Sequence, residues 1–222
     1  MTELPATIDL NPSGAHPESS IIWLHGLGAD ANDFVPIVEH FNILEKYKVR
    51  FVFPQAPVRS ITINNGMKMR GWYDIFKLEL AEEEDQLGIQ ESERLLGMLI
   101  EREIELGTPS NRIILAGFSQ GGAMSLYTGL RYPKPLGGII ALSSYLPLAN
   151  HFEKDRKAEN QNTPIFMAHG LFDPVVPLML GQMSKAQLEK LGYFIEWHSY
   201  SMPHTVIPQE ILDIGTFLEK LM

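Results

Sequence analysis

The 222-residue chain contains no cysteine. That excludes disulfides, thiolate metal centres and cysteine nucleophiles together, and it is in keeping with a reducing, cytoplasmic setting. Positive charge is scarce, with 18 Lys and Arg against 27 Asp and Glu, a net charge of −9. A polyanion partner needs basic side chains to neutralise its phosphates, so nucleic-acid binding is not expected. No apolar run approaches the roughly 18 residues of a membrane span, and no transmembrane segment is predicted. Residues 1–20 are polar, carry Pro12 and Pro17, and have neither a basic flank nor an apolar stretch, so no secretory leader is expected there. There is no internal repeat and no Gly/Ser linker, and we read residues 1–222 as one domain. An apolar content of 45% is enough to build a core for it.

Six short runs rich in β-branched residues predict buried strands: Ile21-Ile22-Trp23-Leu24, 49–53, 112–116, 138–142, 164–168 and 193–197. Most are apolar throughout rather than alternating, as expected where helices cover both faces of a parallel sheet. Helical spacing lies between them, at 33–47, 92–106, 120–132 and 178–191, and Pro208 opens a last helix that runs to Leu221. Strand–helix alternation predicts an α/β fold, doubly wound, with a mostly parallel central sheet and helices on both faces. Two segments interrupt it. Ile61-Thr62-Ile63 and Met67-Lys68-Met69 around Asn64-Asn65-Gly66 read as a hairpin, since Asn-Gly tolerates positive φ at the turn. The acidic run 81–85 reads as a solvated loop or the start of a helix rather than a cation site.

The sharpest local signal is Gly117-Phe118-Ser119-Gln120-Gly121 between a predicted strand and a predicted helix. A serine thrust out on so tight a turn needs small residues two before and two after it, which makes Ser119 the candidate nucleophile. A serine hydroxyl needs a base, and the base an orienting acid, each at a strand's C-terminal end in the chain order Ser, Asp, His. Asp173 follows the strand ending at Ala168 through a glycine turn. Two histidines follow the last strand. His198 continues the strand and packs on a sheet face, whereas His204 sits on the loop beyond it and is the candidate base. The oxyanion donors expected are the N–H of Gln120, at a helix N-terminus, and an N–H from the loop His25-Gly26-Leu27-Gly28, with Leu27 between its two glycines. His25, His169 and His204 have no metal-ligand spacing, so neither metal nor cofactor is expected. Met67, Met69, Trp72, Phe76, Leu78, Val175 and Val176 form a greasy set around the site, fit for acyl chains. We take Trp72, Met69, Leu78 and Val176 as the substrate-binding residues. A greasy groove mouth could also support a homodimer.

These residues resemble a known family. Gly117-Phe118-Ser119-Gln120-Gly121-Gly122, His25-Gly26-Leu27-Gly28, Phe53-Pro54-Gln55-Ala56-Pro57, Trp72-Tyr73-Asp74, Asp173-Pro174-Val175-Val176-Pro177 and Pro203-His204 are similar to the acyl-protein thioesterase/carboxylesterase family of α/β-hydrolases, also known for lysophospholipase activity. The resemblance runs from about Ser20 to the C-terminus. It implies the α/β-hydrolase fold, Ser119, Asp173 and His204 as a triad, the N–H groups of Leu27 and Gln120 as oxyanion hole, and an acyl groove bordered by residues 60–88. One departure stands out: Ala29 separates the His-Gly-Leu-Gly run from Asp30, which looks more like the bacterial carboxylesterase branch. The expected activity is hydrolysis of short-to-medium acyl oxyesters through an acyl-enzyme. The alternatives are long-chain action on acylated proteins or lysophospholipids, and a fold that only binds ligand.

Overall fold

In a computed structural model the residues described are 4–11, 14, 16–77 and 83–222. Nine strands are present among them: β1 (Thr7–Leu10), β2 (Ser19–Leu24), β3 (Val49–Pro54), β4 (Val58–Ile61), β5 (Met67–Arg70), β6 (Ile113–Phe118), β7 (Gly138–Leu142), β8 (Ile165–Gly170) and β9 (Ile195–Tyr200). The helices are α1 (Gln86–Glu105), α2 (Gln120–Gly129), α3 (Ala149–Asp155), α4 (Leu178–Lys190) and α5 (Pro208–Leu221). Seven strands form one sheet in the order β1-β3-β2-β6-β7-β8-β9. All its pairings are parallel except that of β1 with β3. β4 and β5 pair separately as the hairpin.

Alternate residues of each strand serve opposite layers, which is why the runs read as continuously apolar. Trp23, Phe51, Ile114, Ile140 and Phe166 pack with Ile214, Phe217 and Leu218 of α5. Their neighbours Ile22, Val52, Ile113 and Leu115 pack under α1 and α2, and Ile139, Ile165 and Met167 under α2, α3 and α4. The parallel order carries the C-terminal ends of β2, β6 and β8 to one edge, where the candidate residues leave the sheet.

Several elements differ from expectation. Residues 33–47 form two short 3₁₀ helices, Val35–His40 and Asn42–Glu45, rather than one α-helix. Pro36 has no N–H to give, and Phe41 is extended at ψ 115°, which breaks the turn. The predicted stripe still buries Phe34, Ile37, Val38 and Phe41. α1 begins six residues before its predicted start, because Asp85 caps it by accepting the N–H of Gly88 at 2.9 Å. The hairpin strands sit three residues earlier at β4 and one residue longer at β5, and a 3₁₀ turn occupies 62–64. Asn65 and Gly66 take φ 55° and 75°, as their types allow. β9 starts at Ile195, since Gly192 ends α4 at φ 85° and Tyr193 goes into the core. β1 and α3 had no counterpart in the periodicity; both are short, and α3 buries only Phe152.

Candidate active site

The strand-to-helix turn at Ser119 is made by main chain approaching main chain. A Cβ on Gly117 would lie 2.4 Å from the carbonyl carbon of Gly121, and one on Gly121 would lie 2.4 Å from the Leu24 oxygen. Ser119 itself adopts φ 54° and ψ −121°, its N–H held by the Leu142 oxygen at 2.8 Å. This conformation presents a side-chain-bearing residue at the sheet edge and leaves Gln120 as the first residue of α2. The Gln120 N–H is thus among those a helix leaves without an internal acceptor.

Asp173 is buried on the loop after β8. Its Oδ1 accepts the N–H groups of Val175 and Val176, both at 2.8 Å, and its Oδ2 lies 2.6 Å from Nδ1 of His204. An ionised carboxylate only accepts, so the histidine proton sits on Nδ1 and the lone pair on Nε2 is free. The His204 ring packs on Phe118, the residue before Ser119, with centroids 4.6 Å apart. Gly170 allows the acid and base loops to meet, because a Cβ there would be 2.5 Å from the oxygens of both Met202 and Pro203. The N–H groups of Leu171 and Phe172 then bond to the Tyr200 and Met202 oxygens. His198 takes the place expected of it on a sheet face, stacked on Phe166 at 4.9 Å.

A cavity of about 280 Å³ opens at Ser119. Its walls are Leu27 and Gln120, Val175 and Val176 after the acid, Ile63 and Asn64 of the hairpin turn, and Tyr73, Ile75 and Tyr145. Ser119, Leu27, Gln120 and Val176 therefore share one space. Trp72 does not, which corrects its assignment to the groove. Its side chain is fully buried, and the indole N–H donates to the His25 oxygen at 3.0 Å. Met69 is also set back from the cavity, half-buried, with its sulfur accepting from Asn64 Nδ2 at 3.4 Å. Leu78 lies outside the described residues. Ile63, Asn64, Tyr73 and Ile75 fall within the 60–88 segment expected to border the groove but were not singled out, and Tyr145 was missed. Tyr73 had a signal, since it belongs to the Trp72-Tyr73-Asp74 motif; Tyr145 follows an unremarkable strand end and had none. A larger depression of about 600 Å³ lies away from Ser119, between α1 and the end of α2. Its charged groups engage one another, as Arg131 does Glu93 at 2.7 Å, and it offers no nucleophile–base pair.

Burial sets the charge states around the site. Desolvation lowers the pKa of His25 and of His169, so both are neutral at pH 7. His25 gives its Nδ1 proton to the Gly26 oxygen at 2.8 Å and receives the Ala56 N–H on Nε2 at 3.1 Å, which fixes the loop that carries Leu27. His169 donates from Nε2 to the Val176 oxygen at 2.8 Å. Neither is arranged as a metal ligand, and the described residues contain no cluster of three His, Asp or Glu able to hold a metal ion. Behind the cavity the Tyr73 and Tyr145 hydroxyls bond at 3.1 Å, and desolvation pushes the nearby Glu84 carboxyl up to about 7.

A parallel sheet with an outthrust serine on the β6–α2 turn and an acid–base pair after β8 and β9 is the architecture of α/β-hydrolases. The phospholipase/carboxylesterase family model matches residues 9–222; the chain belongs to that family and is a carboxylic ester hydrolase. It is 43% identical to acyl-protein thioesterase 1 of Neurospora crassa over 95% of this chain and 90% of that protein. It is 39% identical to acyl-protein thioesterase 1 of Gibberella zeae over 94% and 93%. The crystal structure of Arabidopsis thaliana SOBER1 superimposes with a TM-score of 0.86 at 31% identity, covering 91% of this chain and 98% of that one.

Proposed function

We propose that the protein is an acyl thioesterase that releases fatty acyl groups from acylated proteins through a Ser119 acyl-enzyme, with oxyesters as slower substrates. The observation that carries the chemistry is the 2.6 Å contact of His204 Nδ1 with Asp173, its ring packed on Phe118, the residue before the Ser119 that lines an apolar cavity. In the first step Ser119 Oγ attacks the acyl carbonyl while His204 Nε2 takes its proton. The oxyanion receives the N–H groups of Leu27 and Gln120. Collapse breaks the C–S bond, and His204 returns the proton to the leaving sulfur. Water then attacks the acyl-enzyme with His204 again as base, and the acid departs.

The relatives named for protein acyl thioesters support this substrate class over the oxyester reading drawn from Ala29. One observation favours the second reading: a cavity of about 280 Å³ is small for a ligand pocket and suits a short acyl chain. A matched ladder of acyl thioesters and oxyesters from acetyl to palmitoyl, with Ser119→Ala as control, separates them. The expected kcat/KM is higher for thioesters and rises with chain length, and the alanine variant is inactive. A peak at short oxyesters would establish the second reading, and activity surviving in Ser119→Ala would overturn both.

A further inference from the structure

The two oxyanion donors of that reading come from different parts of the chain, the β2–3₁₀ loop and the start of α2. Their N–H groups must converge on one oxygen, with each donor about 2.7–3.1 Å from it. Between them lies Gly71-Trp72-Tyr73, which touches both sides. Gly71 packs closely on both: a Cβ there would lie 2.8 Å from Leu27 Cδ1, which would have to shift, and 3.4 Å from Gln120 Oε1. The side-chain amide of Gln120 grips this segment twice, its Oε1 accepting the Trp72 N–H and its Nε2 donating to the Tyr73 oxygen, both at 2.7 Å. On the opposite side the Trp72 indole N–H bonds the His25 oxygen, and Gly28 gives its N–H to the Arg70 oxygen at 2.8 Å. Ser92 Oγ takes up the remaining Trp72 oxygen from α1. Gln120 and Trp72 are buried, so neither can exchange these bonds for water at low cost.

We propose that Gly71-Trp72-Tyr73 is the spacer that sets the separation of the two oxyanion donors, with the Gln120 side-chain amide and the Trp72 indole N–H as its fasteners. The proposal rests on the Ser119 reading above. Trp72 and the Gln120 side chain are then positioning residues, and their effect appears where negative charge has developed on the carbonyl oxygen, not where substrate is first bound.

Two variants remove one fastener each. Trp72→Phe keeps a buried ring and loses the N–H; Gln120→Met keeps the backbone donor and loses both amide bonds. Each is expected to lower kcat about 10- to 100-fold, the scale of a misplacement of about 1 Å, with KM within about twofold. An alkyl trifluoromethyl ketone forms a tetrahedral oxyanion adduct with Ser119, and its affinity should fall by the same factor as kcat/KM. The fatty alcohol of equal length fills only the acyl cavity, and its inhibition constant should stay within about twofold. If Trp72→Phe does not fold, Gln120→Met carries the comparison alone. Unchanged kcat and ketone affinity, or equal losses for ketone and alcohol, would overturn the spacer. When Ser119→Ala is inactive, such a result overturns the spacer only; hydrolysis persisting in Ser119→Ala overturns the reading and the spacer with it.

Discussion

The edge of the sheet around Ser119 and the wall of the cavity beside it are built on different terms. At the edge, main chain meets main chain: Gly117, Gly121 and Gly170 each leave no space for a Cβ, and the atoms they would strike are backbone. The cavity wall is made of side chains drawn from the hairpin turn, the non-strand segment after β5 that carries Tyr73 and Ile75, Tyr145 and the acid loop. Next to that wall, in the hairpin turn, a Cβ on Gly66 meets nothing, and in the loop of Leu27 one on Gly28 meets only the Met69 sulfur at 3.7 Å. The chemistry is thereby fixed by backbone geometry, which tolerates little change. The fit to substrate is set by side chains, which tolerate a good deal.

The sharpest way to break this contrast is to alter the edge without altering its shape. Asp173→Asn should fold as the parent does, because Val175 and Val176 still find a carbonyl oxygen, yet it favours the wrong His204 tautomer. A kcat loss of about 10³–10⁴ with an unchanged melting temperature is expected in steady-state and thermal measurements. Gly121→Ala should come next, lowering stability by about 3 kcal/mol or more as its Cβ enters the Leu24 and His25 oxygens. Gly66→Ala, strained only by φ 75°, should cost about 1 kcal/mol; equal melting shifts for the two would erase the distinction between the regions.

Changes in the wall should be milder and selective. Val176→Ala removes apolar contact from the cavity and should raise KM for octanoyl substrates about tenfold while leaving acetyl within about twofold. A parallel rise for both would place Val176 outside the acyl path. The smallest effect concerns Glu84, whose Oε2 accepts the Leu148 N–H at 2.8 Å while its Oε1 is buried without a partner. Burial raises its pKa from 4.5 to about 7, so the folded chain holds this proton more tightly than the unfolded chain does. Stability from this group therefore falls as pH rises from about 4.5 to 7 and stays lowered above that. Glu84→Gln, which keeps an acceptor for Leu148, should be more stable than the parent at pH 8 by about 1–2 kcal/mol after allowance for partial exposure. The gap should close near pH 4, and a constant gap across pH would show that the gain is not one of proton binding.

The same contrast explains which parts of the molecule were legible in the sequence. Ser119, Asp173 and His204 each sit a few residues or less past a strand, and each lies within two residues of a glycine or proline whose backbone role is local. Their order along the chain and their approach to one edge could be read without any long-range contact. The parallel core could be read for a similar reason, since strands covered on both faces must be apolar throughout. Trp72 could not be placed. An aromatic next to a hairpin reads equally as rim or as core, and only its bond to His25, 47 positions away, decides. Tyr145 and Ile75 reach the cavity through packing that no local pattern encodes. Residues 33–47 carried helical spacing, but Pro36 and the extended Phe41 turned a buried apolar stripe into 3₁₀ geometry that serves the same core face.

Ser119 holds φ 54°, a backbone region where glycine is at ease and a residue with a Cβ is not. Glycine at this position would relieve strain of roughly 1 kcal/mol or more. The fold by itself therefore gives no reason for a serine here and a mild reason against one. A descendant released from hydrolysis would have a single downhill substitution open to it, toward a sturdier and inert protein. A serine here is thus held against the preference of its own backbone, and the strain it carries is accounted for by the nucleophile role proposed for it.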